Sequence, residues 1–388
     1  MKIGIDLRHL QRWDNRFRGI GCYIYNLVEH IVKLNSENNY VFFLEKSTGD
    51  NHVLDWIKSL SGRRNGTITL RELPSLRAVS LLDQIKLNRF IREEKVDCFH
   101  SPVQTSLPIF YRHRSVVTIH DLVQLRFPEM YLKGIGLRSK FRWAAKLFLT
   151  SRAAKLIAIS ENTKQDIIKY LKVPGHRIDV VYNGVNNQFV PLAKNSLLDG
   201  LKSRFHINGK FILYVGGFEE RKNILRIFRA FHTFFKNGAK NVYLVIAGKI
   251  DAEGEQILKK MKAEHRDQNV IFTGFIGEDE LVSLYNGCEF LIFPSIYEGF
   301  GLPALEAMAC GKTLISSDTP SLKEVVGDAA ICVNPYSEEE IALAISKLMS
   351  DIPFRRNLER KSFERAKLFS WKKAAEETLK VYEKVTRL

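Results

Sequence analysis

Apolar positions along this chain follow two periods that take turns. Short continuous runs read as buried strands: KIGID at 2–6, NYVFFL at 39–44, VDCFH at 96–100, SVVTI at 115–119, KLIAI at 155–159 and a last one at 178–181. Between them the spacing changes to that of a helix. Tyr23, Leu27, Val28 and Ile31 mark one face of a helix from Gly21 to Leu34, and further helices are expected around 136–153 and at 161–172. Residues 184–209 break the pattern with Asn, Gly and Pro and read as an interdomain linker. A second series follows, with strands at 210–215, 242–247, 269–273, 289–293, 313–316 and 330–333 and helices between them. The chain then ends on a long amphipathic helix from Trp371 to Thr386. Strand alternating with helix predicts a parallel sheet covered on both faces. The expected fold class is therefore α/β, with two Rossmann-like doubly wound domains at 1–190 and 205–370. Their ligand is expected in a cleft at the carboxyl ends of both sheets.

Composition narrows the setting. With 388 residues, 45% hydrophobic and 26% charged, the chain can bury two cores. No apolar run approaches the ~18 residues of a membrane-spanning helix, and MKIGIDLRHL reads as a strand start rather than a secretory signal. The five cysteines have no CxxC or CxxH spacing, which points to reduced thiols in a cytoplasmic protein. The net charge of +16 is lopsided: residues 1–190 hold 30 Lys+Arg against 17 Asp+Glu, and residues 191–388 hold 29 against 26. The N-terminal half thus carries the surface that would meet a polyanion or an anionic membrane.

The densest chemistry lies in LIFPSIYEGFGLPALEAMACGK, 291–312. A strand enters a loop in which Gly299 and Gly301 allow close backbone approach, and Pro303 and Gly311 suit the start and end of the next helix. Amides of Phe300, Gly301 and Leu302 at a helix N-terminus favour an anion such as a diphosphate. Glu306, one turn in, is placed for ribose hydroxyls and Glu298 for a sugar; the plainer alternative is a solvated acid pair beside an ordinary turn. After the strand 210–215 come Gly216, Gly217, Arg221, Lys222 and Asn223, where a cation pair can neutralise a leaving diphosphate. Arg18-Gly19-Ile20-Gly21 lies between a strand and a helix, His120-Asp121 directly follows the strand 115–119, and Gly274-Phe275 follows the strand 269–273. Each has an ordinary reading as a strand-to-helix turn or a structural side chain. No Asp-x-Asp follows a strand and no His/Cys cluster has ligand spacing, so no metal site is predicted.

YEGFGLPALEAMACGK closely resembles the paired-glutamate motif of retaining glycosyltransferases of family 4, which have the GT-B fold. RGIGCYIYNL (18–27), FHSP (99–102), TIHDL (118–122), AISENTKQDI (158–167), VVYNGV (180–185), YVGGFEERKN (214–223), VIFTGF (270–275), SLKEVVGDAA (321–330) and FSW (369–371) have counterparts in the same order. The resemblance implies an N-terminal acceptor domain, a C-terminal nucleotide-sugar domain, and a final helix, 371–388, crossing back to the first. It implies transfer with retention, without an enzymic nucleophile or a metal cofactor. Glu298, His120, Lys222 and Arg221 would serve catalysis. Donor binding would fall to Gly19, Gly21, Gly217, Arg221, Lys222, Gly274, Phe275, Glu298, Gly299, Phe300, Gly301, Leu302 and Glu306. Arg18, His120 and Asp121 would lie toward the acceptor. Many relatives carry an arginine where this chain has Gly217; Arg221 is the candidate for the second positive charge. The motif set looks most like bacterial mannosyl- or rhamnosyltransferases of surface polysaccharide assembly, which implies GDP-mannose and a glycan or polyprenyl-linked acceptor.

Residues 131–155 hold seven Lys/Arg and no acid, interleaved with Phe141, Trp143, Leu147 and Phe148. Such a helix either lies on the inner face of the cytoplasmic membrane as a peripheral anchor, or packs its apolar side inward and leaves a solvated basic face. A nucleic-acid partner is not expected, because no reader motif accompanies the charge. A GT-B-fold nucleotide-sugar epimerase is the closer alternative.

Overall fold

The computed structural model describes residues 1–11, 19–45, 51–62, 65–73, 81–104, 111, 114–236, 238, 241–264 and 269–387. They form two compact units. One comprises Met1–Gly184 together with Ser370–Leu388; the other is Val185–Phe369.

The first unit is built on a seven-stranded parallel sheet. Its strands are β1 (Lys2–Asp6), β2 (Asn39–Glu45), β3 (Ile68–Leu73), β4 (Cys98–Ser101), β5 (Ser115–Ile119), β6 (Lys155–Ala158) and β7 (Ile178–Val180), in the order β3-β2-β1-β4-β5-β6-β7. The strands β4 and β5 are buried along their whole length, as befits strands covered on both faces. The edge strand β3 was not legible in the pattern: its sequence ITLREL carries Arg71 and Glu72 and is half-buried. The helices Asn51–Leu60 and Leu81–Glu93 beside it also lie outside the predicted set.

The helix Trp371–Thr386 belongs to this unit and packs on the helix Gly19–Leu34 and against β4, β5 and β6. It buries Trp371, Ala374, Ala375, Thr378, Val381, Tyr382 and Val385, a stripe with helical spacing. Ser370 caps its N-terminus by accepting from the Lys373 amide. The chain enters the helix so close to Gly184 that a Cβ there would sit 2.0 Å from the Trp371 nitrogen.

The second unit has a six-stranded parallel sheet: β8 (Lys210–Val215), β9 (Val242–Ala247), β10 (Val270–Gly274), β11 (Leu291–Phe293), β12 (Leu314–Ser317) and β13 (Ile331–Val333), in the order β10-β9-β8-β11-β12-β13. Much of the stretch expected as a linker is packed structure of this unit. A helix spans Ser196–Arg204, Phe189, Leu201 and Ile207 are buried, and Asn195 donates to the Ser283 carbonyl. Polar composition hid three apolar anchors spaced too widely to form one stripe.

Both sheets reverse strand order once, between β1 and β4 and between β8 and β11. In open parallel sheets the loops leaving the strands at such a reversal diverge and leave a crevice for ligand. The segments after β8 and β11 hold Arg221-Lys222 and Glu298.

Candidate functional site

At the β8/β11 reversal the two motifs are joined through one carboxylate. Glu298 is buried, and each of its oxygens is taken by a cation. Lys222 Nζ donates to Oε1 at 2.7 Å, and Arg221 Nη1 donates to Oε2 at 3.0 Å. Burial by itself would raise the Glu298 carboxyl, but Lys222 and Arg221 outweigh it and hold the group below the usual carboxylate range. Burial draws the Lys222 ammonium down, Glu298 opposes it, and the like charge of Arg221 adds to the fall. Two cations on one anion leave a residual charge of one, which a second anion can take.

The backbone that presents these cations is held in place from both sides. Asn223 adopts a left-handed conformation, φ 66°, directly after the short turn Glu220–Lys222. Its buried amide donates to the carbonyls of Pro294 at 2.9 Å and Pro335 at 2.6 Å. The Ile296 amide donates to the Arg221 carbonyl at 2.7 Å, and Lys222 lies over the Phe293 ring at 5.2 Å. Asn223 is thus a clamp between the two loops. At Gly217 a Cβ would meet the Glu219 carboxylate at 2.5 Å. The second cation on Glu298 is Arg221.

The helix Leu302–Ala309 starts at Gly301, whose φ of 106° suits glycine and where a Cβ would strike Leu322 at 2.5 Å. Leu302 is its first residue, so its amide has no intrahelical acceptor. The Phe300 ring is buried edge-on against Phe369, 5.7 Å between centroids. Gly299 lies buried between Glu298 and this turn. Glu306 is half-buried, and Tyr285 donates to its Oε2 at 2.8 Å. Burial pushes this carboxyl up to about 7, Tyr285 pulls it down, and Glu278 adds to the rise. Tyr285 was not singled out in the sequence; nothing in LYNG, twenty-one residues before Glu306, announces the contact. Gly274 closes β10 at φ 70° and accepts from the Gly248 amide at 3.1 Å. Phe275, assigned to the donor by the resemblance, is 63% exposed.

In the first unit His120 follows β5 and is buried. Its Nε2 is 2.8 Å from the Pro102 carbonyl, which can only accept, so Nε2 carries the proton. Burial pushes the ring down to about 4; the Pro102 bond opposes that fall and His9 adds to it, so the imidazole is neutral at pH 7. Tyr23 meets it edge-on at 4.7 Å. Tyr23 in turn bonds Thr118 at 2.8 Å, Thr118 bonds His100 at 2.9 Å, and His100 bonds Tyr382 of the last helix at 2.6 Å. Asp121 organises its own loop: Oδ1 accepts from the Val123 amide at 3.2 Å, and its carbonyl accepts from Gln104. Gly19 and Gly21 stand in the first turn of the helix Gly19–Leu34 rather than in a loop before it. Arg18 lies outside the described residues.

Solved structures share this architecture. Over 99% of this chain and all of the other, the Anabaena protein HepE, solved in complex with UDP-glucose, matches with a TM-score of 0.77 at 16% identity. A sucrose-phosphate synthase from Thermosynechococcus elongatus matches with a TM-score of 0.76 at 20% identity, over 99% of both chains. These likenesses define the class: two parallel-sheet α/β units of the GT-B type. The family model "Glycosyltransferase Family 4" matches residues 17–189, and "Glycosyl transferases group 1" matches residues 202–365. The chain belongs to the family 4 glycosyltransferases. A serotype-specific mannosyltransferase WbdA of Escherichia coli is 32% identical over 265 residues, 68% of this chain, and the match spans about a third of that relative's length, 32%. An O-antigen chain mannosyltransferase B of Escherichia coli is 28% identical over 81% of each chain.

Proposed function

We propose that this chain transfers a mannosyl group, with retention, from GDP-mannose to a glycan or lipid-linked saccharide in cell-surface polysaccharide synthesis. The observation that carries the reading is the Glu298 carboxylate held between Lys222 and Arg221, next to the helix start at Leu302. Two cations and a helix N-terminus form a receptor for a diphosphate, and they stabilise the charge that develops as it leaves. Glu306 reads the ribose hydroxyls and Phe275 with Gly274 meets the base. His120, neutral and with its Nε2 proton committed to Pro102, offers Nδ1 only as an acceptor for a hydroxyl. The acceptor hydroxyl attacks the anomeric carbon on the face from which the diphosphate departs. The departing phosphate oxygen takes its proton, so no enzymic nucleophile and no metal is required. Mannose is favoured by the mannosyltransferases among the relatives.

A melting screen against GDP, UDP, dTDP and ADP tests the donor: GDP should stabilise most, by mass action. Product analysis with GDP-mannose and a mannosylated acceptor should show a new α-linkage, undiminished by a chelator. An epimerised sugar formed without acceptor would instead make the chain an epimerase.

A further inference from the structure

The basic helix Leu137–Thr150 packs only part of its apolar surface inward and leaves the rest exposed. Leu147 and Thr150 are buried, Trp143 packs against the same core, and Thr150 donates to the Gln104 carbonyl at 3.0 Å. These residues fix one face to the protein. The opposite face carries Leu137, Phe141, Ala144 and Phe148, spaced i, i+4, i+7 and i+11, which is a single line along the helix. Leu137 is 86% exposed, Phe141 77% and Phe148 61%. Scattered exposed apolar residues need no explanation, but a continuous outward line of large ones does.

The line is bordered by cations. Arg138, Lys140 and Arg142 are exposed beside it, and Arg152 lies over the Phe148 ring at 5.2 Å. No acid occurs between Met130 and Ser160. We infer that this face docks on an anionic lipid surface, with Leu137, Phe141 and Phe148 entering the acyl boundary and the flanking cations on the headgroups. A second copy of the chain is a poorer occupant, since a two-fold contact would set these cations against themselves. An acidic protein would satisfy the charge but leaves the unbroken apolar line unused. A bilayer surface takes both at once. Among the described residues no helix is long and apolar enough to cross a membrane, so the contact is interfacial. This docking does not depend on the proposed reaction, though it suits a lipid-linked acceptor.

The test is flotation of the full-length protein with phosphatidylglycerol–phosphatidylcholine vesicles, without donor or acceptor. The wild type should float with these vesicles and not with phosphatidylcholine alone. L137S/F141S should reduce the bound fraction at least about tenfold, and so should R138Q/K140Q/R142Q. All these side chains project into solvent, so melting temperatures should not change. As a second readout, F141W should add emission that shifts to the blue when anionic vesicles are present. Three results would overturn the inference: a wild type that stays unbound, an L137S/F141S variant that floats like wild type, or an F141W spectrum unmoved by vesicles. Concentration-dependent dimerisation lost in L137S/F141S, without flotation, would give the face to a second copy.

Discussion

At the scale of single residues, Glu298 is the position whose meaning the structure alters most. In the sequence it stands as a sugar contact, 76 positions past Lys222, with nothing to announce that the two meet. In the fold its two oxygens occupy the same Lys222 and Arg221 that a diphosphate would need. The carboxylate therefore both orients the cations and competes for them. Glu298→Gln removes the competitor and leaves two buried like charges. The expected outcome is tighter GDP binding by calorimetry, transfer slowed roughly a hundredfold or more, and a folded state less stable by about 2–4 kcal/mol. Unchanged GDP affinity would reduce Glu298 to a sugar contact alone. Lys222→Ala removes a cation proposed to hold the leaving group and should lower kcat by about two to three orders of magnitude at similar acceptor KM.

Glu306 gives the pH dependence its sign. Its carboxyl titrates near 7 in the fold, against a reference of 4.5. The folded state thus holds this proton longer than the unfolded one, and stability from this group is lost as pH rises from about 4.5 through 7. The proposed reading of ribose hydroxyls, however, needs the ionised form. Donor KM should fall as pH rises through 7, while Tm falls with it. Glu306→Gln should melt higher than wild type at pH 8, by on the order of 1 kcal/mol, and bind donor worse. Tyr285→Phe removes the hydrogen bond that favours the carboxylate, so the KM transition should move to higher pH. A KM profile with no transition between pH 6 and 8 would contradict the assignment.

At the scale of elements, the strands of both sheets were mostly legible because parallel strands buried on both faces are written as unbroken apolar runs. The exceptions share a cause. The edge strand β3 faces solvent on part of its surface and mixes Arg71 and Glu72 into its run. The helix Ser196–Arg204 buries only Leu201, too little to leave a periodic signal. The candidate site was legible where a motif brings its own chemistry, as in Arg221-Lys222 and in Glu298 to Glu306. It was not legible where the partner comes from elsewhere in the chain, as with Tyr285 on Glu306 or the Asn223 clamp onto Pro294 and Pro335. The last helix is a further case. Its amphipathic stripe is readable, but the bond from Tyr382 to His100, 282 residues away, is not. Burial pushes His100 down to about 3, so it is neutral and depends on that hydroxyl and on Thr118. Tyr382→Phe leaves a buried ring nitrogen without its partner, which should cost about 1–3 kcal/mol in chemical denaturation. If the cost is negligible, the Tyr382–His100–Thr118–Tyr23 chain contributes nothing to holding His120.

At the scale of the whole molecule, the order of segments along the chain makes the two units unequal in autonomy. Val185–Phe369 is one uninterrupted segment with its own six-stranded sheet, and it contains Arg221, Lys222, Asn223, Gly274, Tyr285, Glu298, Leu302 and Glu306. Met1–Gly184 is completed only by Ser370–Leu388, whose helix buries seven residues into it, Trp371 and Tyr382 among them. Each large apolar side chain so buried is worth about 1.5–3 kcal/mol, and a domain's whole stability is of the order of 5–15 kcal/mol. Removal of the last segment therefore takes away as much as the first unit has. A fragment of residues 185–369 should fold cooperatively and bind GDP with an affinity close to that of the full chain, yet transfer nothing. A fragment of residues 1–184 should lack a cooperative melting transition, and addition of a peptide of residues 370–388 should restore one. A 1–184 fragment that melts cooperatively by itself would show that the returning helix is an accessory to that sheet rather than part of its core.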